Sequence, residues 1–372
     1  MADYNQAIKL DPNFALAYNN RGWAAYDYKK DYDRAIADYN QAIKLDPNFA
    51  LAYINRGLAY SSKKDYDRAI ADYNQVIKLD PNFALAYINR GLAYDYKKDY
   101  DRAIADYNQA IKLDPNFALA YNNRGWVAYD YKKDYDRAIA DYNQAIKLDP
   151  NFALAYINRG LAYSSKKDYD RAIADFNQVI KLDPNFALAY IYRGWIACNY
   201  KKDCDRAIAD YNQAIKFDPN FAKAYFYRGL AYDYKKDYDR AIADFNQAIK
   251  LNPNYANAYN NRGYAYSNKK DYDRAIADFN QAIKLDPQAQ YYDSRCEIYN
   301  KKGDYDRAIA DCDRAIKLNS LADYAYYNRG IAYKNKGNKD KAQENFKKVL
   351  ELNDDKEYCQ KAEKELQELG TK

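Results

Sequence analysis

The side chains of this chain best suited to chemistry are its aspartates, arginines, tyrosines and cysteines. Carboxylates can act as general acids or bases or hold metals. Here they recur at fixed places, such as Asp65, Asp67, Asp72 and Asp80, and those places suit the capping of helices. The chain has no His, so the commonest general base and the commonest metal ligand are missing. No nucleophile stands beside a base, and the sequence shows no phosphate-cradling glycine loop and no metal-ligand spacing. We therefore expect no catalytic residue, no metal, no cofactor and no enzymatic activity. The five Cys include no C-x-x-C, which argues against a zinc framework or a disulfide scaffold. Cys198 and Cys204 flank one turn, and Cys296 and Cys312 fall within one hairpin. The expectation for both pairs is reduced thiols in the core.

The 46 Tyr would suit base stacking if they lay beside a basic groove. With 59 Lys plus Arg against 53 Asp plus Glu, however, the net charge is only +6 and both signs are interspersed. A nucleic-acid partner is not expected, and the tyrosines read as packing with their hydroxyls at the edge. No window approaches 18 consecutive apolar residues, so no membrane partner is expected. The opening MADYNQAIKLDP lacks the layout of a signal peptide, and a cytoplasmic location is the expectation. That segment begins partway through a repeat, which leaves room for a lost targeting segment or a larger parent protein.

The elements that position these residues repeat. Asp-Pro or Asn-Pro steps recur at Pro12, Pro47, Pro81, Pro115, Pro150, Pro184, Pro219, Pro253 and Pro287, always 34 or 35 residues apart. Such a period means stacked supersecondary units, not one globular core. In residues 50–83, Leu51, Tyr53, Ile54, Gly57, Leu58 and Tyr60 fall at helical spacings. Asn48 is the expected cap of this first helix, and Lys63 and Lys64 suit its C-terminal dipole. Asp65 should cap a second helix carrying Ala69, Ile70, Tyr73, Val76 and Ile77, and Pro81 should end it.

This unit resembles the tetratricopeptide repeat, whose pattern is W-x2-L-G-x2-Y…A-x3-F…P. Residues 50–83 give Tyr53-x2-Arg56-Gly57-x2-Tyr60…Ala69-x3-Tyr73…Pro81, with Tyr for the leading Trp and Arg for Leu. Ten full repeats begin at Ala15, Ala50, Ala84, Ala118, Ala153, Ala187, Ala222, Ala256, Ala289 and Asp323. The expected organisation is an array over 1–356 (a half repeat, 1–14, then the ten repeats) and a capping helix and tail over 357–372. The expected fold is an all-α solenoid of 22 helices in hairpins; the resemblance implies a right-handed superhelix with first helices on the concave face.

Several recurring residues call for a physical reason. Gly57 and its equivalents sit inside a helix, so a second helix should approach closely, with Ala69 as the small partner; Cys296 breaks the rule and should pack more loosely. Arg56 needs a partner if it is partly buried, either Asp72 on the facing helix or, as the competing arrangement, an Asp72–Arg68 pair on one helix. The last repeat sets Asn345 opposite Arg329. Three repeats carry an extra residue and a Trp: Trp23, Trp126 and Trp195. The extra residue should fall in the first helix, where it lengthens the helix, makes a bulge or changes the turn. The indoles are either groove anchors or fillers of space the insertion opens. Residues 15–83 and 118–186 differ only at Ala24 versus Val127 and Tyr73 versus Phe176, so little of the array is tailored to one site.

The resemblance implies a peptide groove lined from first-helix positions two, five, six and nine. The candidates are Asn20 and Trp23; Leu51, Ile54, Asn55 and Leu58; Leu85, Ile88, Asn89 and Leu92; Leu119, Asn122, Asn123 and Trp126; Ile157, Asn158 and Leu161; and Trp195. The Asn amides would bond a ligand backbone. The family's carboxylate clamp uses Lys at position five and Asn at nine; no repeat here has Lys at five or Asn at nine, which argues against that mode. The expected function is a non-catalytic scaffold binding an extended, partly apolar polypeptide. The same Leu and Ile could instead be core. A further alternative is self-assembly with another copy through an open N-terminal stack end, giving a homo-oligomer.

Overall fold

The structure, a computed structural model, describes residues 1–352 and 355–370. Among these residues every regular element is a helix, 22 in all, as the periodicity predicts. The chain divides into two compact units, Met1–Pro184 and Asn185–Lys372.

The first unit holds α1 (Ala2–Leu10), α2 (Ala15–Lys29), α3 (Tyr32–Leu45), α4 (Ala50–Ser62), α5 (Tyr66–Leu79), α6 (Ala84–Tyr96), α7 (Tyr100–Leu113), α8 (Ala118–Asp130), α9 (Tyr135–Leu148), α10 (Ala153–Ser165) and α11 (Tyr169–Leu182). The second holds α12 (Ala187–Asn199), α13 (Cys204–Phe217), α14 (Ala222–Tyr234), α15 (Tyr238–Leu251), α16 (Ala256–Asn268), α17 (Tyr272–Leu285), α18 (Ala289–Lys302), α19 (Tyr305–Leu318), α20 (Asp323–Asn335), α21 (Lys339–Leu352) and α22 (Lys356–Gly370). Within each unit a first helix packs on its own second helix, and that second helix packs on the next first helix. In α22, where the expected cap lies, Ala362 is buried against Phe346 and Val349 of α21. Residues 371 and 372 of the expected tail lie outside the described residues.

The second helices start and stop as their sequence predicts. The Asp65 carboxylate accepts from the Arg68 backbone N–H at 3.2 Å, satisfying one donor the helix leaves open. The helix ends at Leu79, and Asp80 is extended (φ −139°, ψ 97°), because a residue before proline is pushed out of the helical region. First helices start differently from the expectation. The residue flanking α4 is Phe49, with no side-chain cap, while the Asn48 N–H donates to Asp46 at 3.0 Å. The turn is therefore built by the aspartate before proline, and Asn48 caps nothing.

The turn between helices places Lys64 in the left-handed region (φ 62°), as it does seven other lysines. Its equivalents in the last two hairpins are Gly303 and Gly337, residues that adopt this conformation without steric penalty.

The extra residue of the Trp-bearing repeats is absorbed in two ways. Helix α2 runs to 15 residues against 13 in α4. Helices α8 and α12 keep 13 residues, and the surplus enters the turn. There the Lys132 N–H reaches back to the Val127 carbonyl (3.3 Å) and the Asp134 N–H to Ala128 (2.9 Å). The indoles stay in register with Leu58, so two of the three insertions lie outside the helix.

The closest approach at Gly57 is by Tyr73: a Cβ on Gly57 would sit 2.5 Å from the tyrosine Cε1, and at the equivalent Gly22 the carbonyl oxygen of Ala35, the counterpart of Ala69, comes within 3.2 Å as well. The fully buried Tyr73, Tyr107, Tyr142 and Phe176 all lie this way over a glycine. The thiol expectation is overturned. Cys198–Cys204 and Cys296–Cys312 are disulfides, the second with its Cα atoms 5.7 Å apart. Sequence separation alone hid these pairs, because the hairpin brings a helix position and its facing position together.

Candidate functional site

Each first helix is held by one recurring cluster. Arg56 Nε and Nη2 donate to the two oxygens of Asp72 at 2.9 and 2.6 Å, a forked pair across the hairpin. Arg56 Nη1 donates to Asn40 of the preceding second helix at 2.6 Å. The guanidinium carbon also lies 5.4 Å from the Tyr53 ring centroid. The same cluster forms at Arg21, Arg90, Arg124 and Arg159 in the first unit and at Arg228, Arg262 and Arg295 in the second. The competing arrangement fails because Arg68 donates instead to Asp65, the cap of its own helix. At the last hairpin Arg329 Nε donates to Asn345 at 2.8 Å, and its Nη1 turns to Asp313. Burial pushes the Asp72 carboxyl up from its ordinary value, and the Arg56 hydrogen bonds pull against that rise. These pairs fix the helices, and their charges are mutually satisfied.

Helix periodicity divides the groove candidates into two layers. Positions two and nine are seven residues apart, two turns, and share the outer face. There Leu51 is 47% exposed and Trp23 41% exposed. Leu58, Leu85, Leu92, Leu119, Trp126 and Leu161 are half-buried on the same positions, as is Trp195 in the second unit. Asn20 and Asn89 are half-buried at position six. Ile54, Ile88 and Ile157, by contrast, are buried at position five. Asn55, Asn122, Asn123 and Asn158 are buried too. Their amides tie adjacent first helices together: Asn55 donates to Asn19 and Asn158 to Asn122, each at 3.0 Å. Asn122 also donates to Asn123 at 3.2 Å. The amide expected to bond a ligand backbone is thus engaged between repeats in these pairs.

The candidate set omits Leu16 and Leu154, which are 43% and 47% exposed. Both hold position two, like Leu51, so the signal was present in the periodicity. The indoles are neither free nor core. Trp23 stacks on Tyr26 (ring centroids 5.4 Å), and Trp126 lies against Tyr129 (5.6 Å). Each Tyr hydroxyl then reaches a serine of the next first helix, Ser62 at 3.2 Å or Ser165 at 3.3 Å. The indole is a partly exposed ledge braced from behind.

Among the described residues no three His, Cys, Asp or Glu side chains come together as a metal site would require. Among them, too, no helix is long and apolar enough to cross a membrane.

Comparison with known proteins agrees with this architecture. A family model described as tetratricopeptide repeat matches residues 50–83, 84–117, 153–186, 222–255, 256–288 and 324–356, more than half of the chain. A model described as TPR repeat matches 25–64, 128–167, 197–233 and 297–337. A second tetratricopeptide-repeat model matches 3–37 and 106–140. No curated protein matches the chain. Among solved structures, yeast Tom70 is 16% identical, with a TM-score of 0.53 over 97% of this chain and 96% of its own, a likeness of fold. MamA is 31% identical over 44% of this chain and 95% of its own, with a TM-score of 0.39. YrrB, described as a TPR protein with an unusual peptide-binding site, is 25% identical over 50% of this chain and 95% of its own, with a TM-score of 0.39. Hairpins of this geometry, matched repeat by repeat along the sequence, place the chain in the tetratricopeptide repeat family.

Proposed function

We propose that the chain is a non-catalytic protein-interaction scaffold, and that the first unit takes an extended, partly apolar polypeptide on the outer face of its first helices. The observation that carries this is the row at positions two and nine, where Leu16, Trp23, Leu51 and Leu154 are each more than two-fifths exposed. Apolar side chains in register on the first helices, exposed on α2, α4 and α10 and half-buried on α6 and α8, suit a ligand with regularly spaced apolar residues. Beneath them the Arg–Asp forks are paired internally and the Asn55 and Asn158 amides are engaged by Asn19 and Asn122, so recognition falls to apolar contact and to Asn20 and Asn89 at the edge.

A displayed library of random dodecapeptides, selected on the full chain, tests this. Selected peptides should be apolar-rich. They should bind Trp23→Ala and Leu51→Ser variants at least about 10-fold more weakly, the loss expected for a hot-spot side chain. Equal binding to both variants would remove the face assignment.

A second reading, pairing with another copy through α1, has one observation in its favour. Helix α1 has no buried residue, and Leu10 at its end is 77% exposed. Sedimentation across a hundredfold range of concentration checks it, with a constant monomer as the refuting outcome.

A further inference from the structure

A cavity of about 240 Å³ opens between α12, α13 and α14 of the second unit. Trp195, Cys198, Tyr211, Tyr227, Asp233 and Tyr234 line it. Its origin can be read from the equivalent hairpins of the first unit. There Tyr26 fills the space behind Trp23 and reaches Ser62 on the next first helix. In the second unit Cys198 stands where Tyr26 would and is bonded to Cys204, which stands where Tyr32 would. The phenol that fills the space elsewhere is gone. On the next first helix, Asp233 and Tyr234 occupy the places of Ser61 and Ser62.

Asp233 is left without a partner. In the α4–α5 hairpin, Ser61 at this position lies 3.4 Å from the Tyr73 hydroxyl. The counterpart of Tyr73 here is Phe245, which offers no hydroxyl. Asp233 Oδ1 is buried and meets no hydrogen-bond donor. A buried carboxylate oxygen without a donor is costly, and a cation relieves it. Burial alone pushes the Asp233 carboxyl up, as expected where no positive group answers it. Lys202 comes near, 5.6 Å from the Tyr234 ring centroid, but its ammonium donates to the Asn199 carbonyl at 2.9 Å.

We propose that this cavity binds the guanidinium of an arginine side chain carried by a polypeptide partner. The chain itself shows the chemistry repeatedly: Arg56 is held between the oxygens of Asp72 and the face of Tyr53. The cavity offers the same two elements, a carboxylate and tyrosine rings, without the arginine. A planar guanidinium is weakly hydrated, stacks on aromatic faces and donates in a fork, so it suits the site better than a compact ammonium. The inference rests on the reading of the chain as a polypeptide-binding scaffold and adds a residue type that the partner must carry.

The test uses the full chain with Trp23→Phe and Trp126→Phe, so that Trp195 is the sole indole reporter. The probes are N-acetyl methylamides of arginine, citrulline, lysine and tyrosine. The arginine probe should give a saturable change in Trp195 emission, with the isosteric neutral citrulline at least 10-fold weaker. Asp233→Asn should weaken arginine binding about 10-fold. The double change Cys198→Tyr with Cys204→Tyr restores the pair found at Tyr26 and Tyr32, so it should fold, refill the cavity and abolish the response. Equal binding of arginine and citrulline, preference for the tyrosine probe, or no saturable response to arginine would each overturn the proposal. If selected peptides bind the first unit while the arginine probe fails, only this inference falls. If the arginine probe binds, and the selected peptides carry arginine but bind the Trp23→Ala and Leu51→Ser variants as tightly as the parent, the inference stands and the apolar-face reading falls.

Discussion

The Tyr73 ring lies over Gly57 so closely that a Cβ on the glycine would meet Cε1 at 2.5 Å and Cζ at 2.8 Å. Two opposed effects then decide the Gly57→Ala variant. Alanine improves helix propensity by about 1 kcal/mol. Overpacking a buried contact costs about 1–3 kcal/mol. Tyr73 is 1% exposed and has no free space to retreat into, so overpacking should win. Urea denaturation of Gly57→Ala should show a net loss of about 1–2 kcal/mol. In a Tyr73→Leu background the same change should be neutral or favourable. An equal loss in both backgrounds would mean that the ring is not the constraint.

The hairpin of α18 and α19 replaces both members of this contact. Cys296 stands at the glycine position, Cys312 at the aromatic position, and the two are bonded. Each cysteine is intelligible only with the other: a side chain at 296 requires a small residue at 312. Cys312→Phe alone loses the same bond, about 2–4 kcal/mol, and adds an overpacking cost of about 1–3 kcal/mol against the Cys296 side chain. Cys296→Gly alone loses the bond and leaves space unfilled, about 2–4 kcal/mol. The double variant Cys296→Gly with Cys312→Phe rebuilds the contact seen at Gly263 and Phe279, where a Cβ on the glycine would meet the ring at 2.8 Å. It should unfold within about 1 kcal/mol of the oxidised parent. Additive losses in calorimetry would show that the two positions act independently.

The Arg56–Asp72 fork predicts unequal consequences for unequal replacements. Asp72→Ala leaves the guanidinium without its carboxylate and should cost about 3 kcal/mol. Asp72→Asn should cost less, because the chain already tolerates that arrangement where Arg329 donates to Asn345 at 2.8 Å. Asn40→Ala removes only an exposed acceptor of Arg56 Nη1 and should cost about 0.5–1 kcal/mol. Asn and Ala variants at position 72 of equal stability would show that the amide does not replace the carboxylate.

Much of this architecture was legible because a period of 34 or 35 residues carries its own replicates. The Asp65 cap and the pairing of Arg56 with Asp72 followed from asking which partners each residue type requires. What was not legible depended on direction rather than type. Asn48 looks like a helix cap, but Asp46, before the proline, organises the turn. Ala69 looks like the partner of Gly57, yet the long Tyr73 side chain reaches back along its helix to cover that point. Asn55 and Asn158 look like ligand-facing amides, and one more step of 100° around the helix turns them toward the neighbouring repeat. The cavity beside Trp195 was hidden for a related reason. It is made by the absence of a tyrosine at Cys198, visible only when three elements are seen together.

Asp293 should give the chain a pH-dependent step in stability. It occupies the position held by Ile54 in the second full repeat, and Asn328 of α20 donates to it at 2.8 Å. Desolvation pushes its carboxyl up to about 7; the Asn328 bond opposes the rise, while Glu297 on the same helix and Asp323 on α20 add to it. An unfolded aspartate titrates near ~3.9. The folded state therefore holds a proton between these values that the unfolded state releases, and stability falls as pH rises through that window. The contribution is fully present below pH ~4 and is lost by the time the pH passes through about 7. A shift of this size corresponds to at most about 4 kcal/mol, and water entry on ionisation makes about 2 kcal/mol the more realistic figure. Asp293→Asn should therefore unfold at higher urea than the parent at pH 8, nearly match it at pH 4, and flatten the slope between. Hydrogen exchange of α18 and α20 localises the effect. A variant that loses stability equally at both pH values would show that Asp293 is ionised in the folded chain throughout.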